Sequence, residues 1–248
     1  MPIKGERIRL VHQWIHYSSG EIPQLEGRLV GPNSLGNKIH ALRMEPRGST
    51  FTTTEEQNPL RTNDQWFRPV HCAVGPDGSI YVADFYDARI THVDPRDNWD
   101  RSNGRIHRIR ASDSKTSKPP DLGKLSSTQL VDKLLEKNQW ARRHARRLLR
   151  TRSAEPSLDE LGRIVKEYNP DNDRSEQQAL EALWILQGTS LPKTNPSEMK
   201  EILLAALGSS SPDLQRWAIR IAADHGTPLG PALVEIASGT KHAEVISQ

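Results

Sequence analysis

Between residues 6 and 110 the apolar side chains tend to recur at every second position, and from residue 126 onward at every third or fourth. The first period places neighbours on opposite faces of a strand, and the second lines one face of a helix. The chain therefore reads as strands followed by helices. Residues 6–14 alternate as a strand, 27–30 and 38–44 form a hairpin around Gly31-Pro32-Asn33-Ser34-Leu35-Gly36-Asn37, and Thr50–Thr54 is an edge strand. Val70–Val74 and Ile80–Val82 flank the turn Gly75-Pro76-Asp77-Gly78. There Pro76 pre-sets φ, Asp77 can bond its own backbone and Gly78 supplies a positive φ. Arg105–Arg110, after the turn signal Asn103-Gly104, completes an antiparallel meander.

Residues 1–112 thus form a strand domain, 113–125 a polar, proline-containing linker, and 126–248 a helical domain. A helix starts at Ser126 or Ser127 with Leu130, Val131, Leu134 and Leu135 on one face, and the next turns Ala141, Ala145, Leu148 and Leu149 inward. Further helices are predicted over 157–168, 173–187, 196–207, 212–224 and 228–238. Asn138–Ala145, Asn172–Ala179 and Ser211–Ala218 align as an internal repeat, with alanines 34 and 39 residues apart. That spacing suits helix-pair repeats, and His242–Gln248 reads as the opening of a fourth.

Composition narrows the classes. Hydrophobic content of 35% and a mean hydropathy of −0.68 predict a thin core. Residues 1–118 carry 17 basic and 14 acidic groups and the remainder 17 of each, so neither part is globally basic and nucleic acid is not the expected partner. The single cysteine, Cys72, excludes an internal disulfide and a CxxCH haem attachment. No apolar run approaches the roughly 18 residues of a membrane helix, and Met1–Trp14 does not read as a signal peptide.

The string Phe67-Arg68-Pro69-Val70, Gly75-Pro76-Asp77-Gly78, Tyr81-Val82-Ala83-Asp84 resembles the last blade of a glucose/sorbosone-dehydrogenase-like β-propeller. With Phe85-Tyr86-Asp87 and Asp94-Pro95-Arg96-Asp97-Asn98-Trp99-Asp100 added, it is similar to the exported, so-called membrane-bound dehydrogenases of planctomycetes. The resemblance covers about residues 25–112. It implies an α+β chain in two domains: about two blades of a partial β-propeller, then a HEAT-like helical solenoid. It also implies a periplasmic or cell-envelope parent that oxidises a sugar or alcohol with a PQQ-like quinone and Ca²⁺. The parent's remaining blades and a cytochrome c domain would be the partners. The expectation is a partial chain, catalytically incomplete alone, because a propeller cofactor draws ligands from most blades. A binding or scaffold module for protein or polysaccharide is the alternative from another class.

Candidate site residues follow. Through the resemblance Arg68 is the cofactor-facing arginine, suited to planar, bidentate donation; His71 stands where the pattern has Asp. The other reading of Arg68 is an ion pair with a neighbouring blade. Asp84, Asp87, Asp94, Asp97 and Asp100 read first as a series of Asx turns, and their oxygens could also serve a hard cation. The histidines lack zinc spacing, and Cys72 reads as a small buried hydrophobe. Arg143, Arg146, Arg147 and Arg150 share a helix face, either merely solvated or docking an acidic partner.

Overall fold

The computed structural model describes residues 3–4, 13–89, 95–114, 118–152, 155–172 and 175–248. The chain is α+β and divides into two compact units, Met1–Pro120 with Lys137–Trp140, and Asp121–Glu136 with Ala141–Gln248.

Among the described residues the first unit holds eight strands: β1 (Ile3–Lys4), β2 (Ile15–His16), β3 (Leu29–Asn33), β4 (Lys38–Arg47), β5 (Thr50–Arg61), β6 (Pro69–Val74), β7 (Ile80–Asp84) and β8 (Arg105–Ile109). One sheet runs β1-β5-β4-β3-β2, antiparallel except for the two-residue β1–β5 bridge; the other is the meander β6-β7-β8. Most of the expected strand over residues 6–14 lies outside the described residues. The expected strand Thr50–Thr54 continues to Arg61. Its second half, Glu55-Glu56-Gln57-Asn58-Pro59, has no strand-like alternation, and the β4–β5 register shifts there. A proline that cannot donate to a ladder is tolerated at such a bulge.

The two sheets share one apolar core. Ile15, Val30, Ile39 and Ala41 of the larger sheet meet Cys72, Ile80 and Val82 of the meander, with Tyr17, Ile22, Leu25 and Phe67 closing the margins. Burial pushes the Cys72 thiol up to about 12, as expected for a cysteine serving as a hydrophobe. On the other face of the meander His71, Ala73, Tyr81, Ala83, Ile106 and Arg108 line up by register. Ile106 there is 76% exposed.

Tyr17 joins the elements at the turn end of the meander. Its hydroxyl donates to the Gly78 carbonyl (2.8 Å) and accepts from the Ile22 N–H (3.0 Å), with Ser19 Oγ at 2.5 Å. Gly78 has φ +77°, the positive value that the turn signal predicts. Lys137–Trp140 groups with this unit. Asn138 Nδ2 donates to the carbonyls of Gly75 (3.2 Å) and Pro76 (3.0 Å), and Gln139 Nε2 to His16 (2.7 Å).

The second unit contains α1 (Ser127–Asp132), α2 (Gln139–Arg152, its first two residues in the other unit), α3 (Glu155–Lys166), α4 (Ser175–Leu186), α5 (Leu191–Thr194), α6 (Pro196–Leu207), α7 (Pro212–His225), α8 (Pro231–Gly239) and α9 (Ala243–Ile246). Ser126 caps α1 in a reciprocal box with Gln129. The helix then tightens to a 3₁₀ turn over Lys133–Leu135 instead of continuing. Pro at the first helical position and a side-chain cap one residue earlier start α6 (Asn195) and α7 (Ser211). Helices α3 and α4 pack as a pair, as do α6 and α7, and the pairs stack α3 on α6 and α4 on α7. The repeat alanines 145, 179 and 218 are all fully buried, which lets helix backbones approach closely. Glu181 is buried too, bonded to Arg146 (2.8 Å) and beside Arg142 (3.6 Å). Among the described residues no helix is long and apolar enough to cross a membrane.

Burial raises the Tyr17 hydroxyl above its ordinary value of 10.0, because a phenolate in the core is poorly solvated. A raised folded-state value gives stability that is complete below the unfolded value and lost as pH rises through the folded one. Tyr17→Phe is therefore expected to cost about 1–3 kcal/mol in urea melts at neutral pH. It should also lessen the stability loss above pH ~10 that the parent shows. An unchanged melt would mean that this hydroxyl does not join the two sheets.

Candidate functional site

At the end of the meander opposite Gly78, the chain enters β6 through Trp66-Phe67-Arg68 and leaves β7 through Asp84-Phe85-Tyr86-Asp87. Asp84 is the centre of this end. Its Oδ1 accepts the backbone N–H groups of Arg68 (2.7 Å) and Tyr86 (2.9 Å), and its Oδ2 lies 3.0 Å from Nε2 of His107 on β8. Asp87, also buried, accepts the N–H groups of Arg89 (2.8 Å) and Asp100 (2.8 Å). Both carboxylates therefore act as Asx-type anchors that hold the loop after β7.

Arg68 lies among them, 7% exposed. Its guanidinium donates to the carbonyls of Phe67 (3.0 Å) and Ala88 (3.2 Å), while Nε is buried with no hydrogen-bond partner among the described residues. Burial lowers its proton affinity, and the nearby carboxylates Asp87, Asp64 and Asp84 act in the opposite direction. Asp97 is exposed and paired with Arg101 (2.7 Å). Asp100 accepts from Asn103 Nδ2 (2.7 Å), Ser102 N (2.8 Å) and Ser102 Oγ (2.7 Å), bonds that hold its carboxyl below the ordinary value. Asp94 lies outside the described residues. Among the described residues no three His, Cys, Asp or Glu side chains are grouped to hold a metal ion. His71 is exposed on the far face of the meander, away from Arg68.

The sequence singled out Arg68, Asp84 and Asp87, and the fold brings these three together. It did not find His107 as the partner of Asp84. The cross-strand register Asp84↔Arg105 puts His107 two positions along on the same face, a relation that needs the pairing to be known. The aromatic surface around this end was also missed. Trp66 and Tyr86 rings lie 5.7 Å apart, Phe85 and Trp99 6.1 Å, with Arg105 3.3 Å over Tyr86 and Arg89 4.3 Å over Trp99. Trp66 is 41% and Phe85 48% exposed. Tyr86 has φ +49°, unusual for a bulky residue, and its backbone is held there by Asp84.

A second missed histidine, His40, is fully buried. Gly36 N–H donates to Asn33 Oδ1 (2.9 Å), which turns Asn33 Nδ2 toward His40 Nε2 (2.9 Å). The ring must then accept at Nε2 and donate from Nδ1 to Glu55 (2.7 Å), so neither nitrogen is available to a substrate. This is a structural histidine. Its signal was the alternation Lys38-Ile39-His40, which puts two polar groups opposite the core.

The strand unit is thus two antiparallel sheets around one core, with a polar anchor and an aromatic rim at one end. Residues 15–113, the greater part of that unit, match the family model of a domain of unknown function, DUF7133. No curated protein and no solved structure matches the chain.

If Asp84 holds the loop as described, Asp84→Ala strands two N–H groups and is expected to destabilise by about 2–4 kcal/mol. Asp84→Asn keeps an oxygen on both and should cost about 1 kcal/mol. Chemical denaturation of the two variants checks this; equal losses would remove the backbone anchor from the account.

Proposed function

We propose that the strand unit is a recognition module for carbohydrate-class ligands, made of β-propeller-type blades and linked to a HEAT-type helical scaffold. The observation that carries this reading is the aromatic–arginine rim at the Asp84 end. Exposed rings held in fixed orientation offer flat apolar faces, and the guanidiniums stacked on them keep hydrogen-bond donors at the same surface. A ligand with an apolar face and an edge of hydroxyls matches that combination. Exposed apolar surface rimmed by polar groups is the usual mark of a binding site. The blade reading is supported by the meander's second face, where Ala73, Ala83 and Ile106 present small and apolar side chains to solvent. Such a face fits the packing of a further sheet. Buried alanines at repeated positions support the HEAT-type reading.

A second reading keeps the chain as part of a quinone- and Ca²⁺-dependent sugar or alcohol dehydrogenase of the cell envelope, with electrons passed to a cytochrome c domain. One observation favours it: the buried Nε of Arg68, which has no hydrogen-bond partner among the described residues. Arg68 would then hold an anionic group of the cofactor, with Asp84 and His107 fixing its surroundings.

Affinity electrophoresis through gels containing soluble neutral and acidic polysaccharides tests the first reading. Retardation by at least one polysaccharide is expected, with about tenfold weaker binding in Trp66→Ala and Tyr86→Ala at unchanged circular dichroism. Identical mobility of parent and variants in every gel would refute it. Dye reduction with added quinone, Ca²⁺ and a sugar panel tests the second, which requires turnover that falls in Arg68→Lys.

A further inference from the structure

The aromatic side chains at the Asp84 end fall into two sets of the same make-up. In the first, Trp66 leans on Tyr86 with ring planes at 41° and centroids 5.7 Å apart, and the Arg105 guanidinium lies 3.3 Å over Tyr86. In the second, Phe85 meets Trp99 edge to face, at 77° and 6.1 Å, and the Arg89 guanidinium lies 4.3 Å over Trp99. Each set thus joins a ring clamped under an arginine to an exposed one, Trp66 or Phe85. A tilted or edge contact covers at most one face of a ring, so Trp66 and Phe85 each keep a flat face that the partner ring leaves uncovered.

A buried carboxylate builds each set. Asp84 accepts the N–H groups of Arg68 (2.7 Å) and Tyr86 (2.9 Å), which ties the segment carrying Trp66 to the one carrying Tyr86. Asp87 accepts the N–H groups of Arg89 (2.8 Å) and Asp100 (2.8 Å), which brings Arg89 to the neighbour of Trp99. Arg89 also donates to the Arg96 carbonyl and to Asn98 Oδ1 (2.7 Å), so it is held as a clamp. The exposed residues are fixed through their own N–H groups, Trp66 to Asp64 Oδ1 (2.9 Å) and Phe85 to the Arg68 carbonyl (2.9 Å). Phe85 and Tyr86 are consecutive, with Cα atoms about 3.8 Å apart, so both sets lie within the span of one short saccharide.

We propose that Trp66 and Phe85 are two separate stacking platforms, and that the strand unit takes an oligosaccharide across both in preference to a single sugar. Asp84 and Asp87 are the positioning residues, one for each platform. The inference rests on the carbohydrate reading above and adds to it the number of subsites. A single sugar occupies one platform. A chain that reaches both gains a second contact without a second loss of translational freedom. Arg89 and Arg105 act through their place over the rings, so the net charge of the surface does not enter.

Calorimetric titration of the full chain with size-fractionated oligosaccharides of one to six units, prepared from xylan, mannan, laminarin and alginate, tests it. In at least one series affinity should rise about tenfold once the saccharide reaches both platforms, and then level off. Trp66→Ala and Phe85→Ala, at unchanged circular dichroism, should each bring the longer oligosaccharides down to the affinity of the single sugar. Asp87→Ala should weaken binding as Phe85→Ala does, with no further loss when the two are combined. Combined with Trp66→Ala, it should remove the binding that remains. Equal affinity for one unit and for six, a loss in only one of the two ring variants, or additive effects of Asp87→Ala and Phe85→Ala would overturn the proposal and leave the carbohydrate reading in place. Absence of binding in all four series, like identical mobility in every gel, would overturn both.

Discussion

The strand unit depends on one constraint: two thin sheets must share a single core. The meander brings only three strands of five or six residues, and the larger sheet turns few apolar residues toward it. A small sheet of this kind is marginal until its face is covered. Cys72, Ile80 and Val82 on one side and Ile15, Val30, Ile39 and Ala41 on the other remove each other from water. Each large aliphatic side chain so buried contributes about 1.5–3 kcal/mol. Tyr17 adds direction to that contact, because one hydroxyl serves both the Gly78 turn and the Ile22 backbone.

The two ends of the meander are built differently. At the Gly78 end, the turn's own backbone bonds and the Tyr17 hydroxyl hold the chain. At the Asp84 end, two buried carboxylates hold the loop by accepting backbone N–H groups, and one nitrogen of a buried guanidinium has no hydrogen-bond partner among the described residues. Holding the backbone from below frees the side chains of Phe85 and Tyr86 to face outward. Rigid, exposed rings then lose little conformational entropy on binding, which is why anchored loops favour recognition.

Much of this was legible in the chain. The turn Gly75-Pro76-Asp77-Gly78, the meander around it and the helix starts at Ser126, Pro196 and Pro212 follow from local preferences, and the structure has them where they were read. The grouping of Arg143, Arg146, Arg147 and Arg150 on one face follows from helix geometry alone. The extension of β5 to Arg61, the 3₁₀ turn after α1 and the short helices Leu191–Thr194 and Ala243–Ile246 depend on neighbours supplied by other parts of the chain.

The amino-acid order by itself determined the element types, the strand-to-helix division and the three buried alanines, because period, caps and turn residues act over a few positions. Only the tertiary structure decided that Asp84 meets His107, that Asn33 and Glu55 fix the ring of His40, that Trp66 meets Tyr86 and Phe85 meets Trp99, and that Arg150 lies on Gly188. Those pairs are brought together by strand register and helix stacking, which are properties of the whole packed unit. A one-residue shift in register would send each strand side chain to the opposite face.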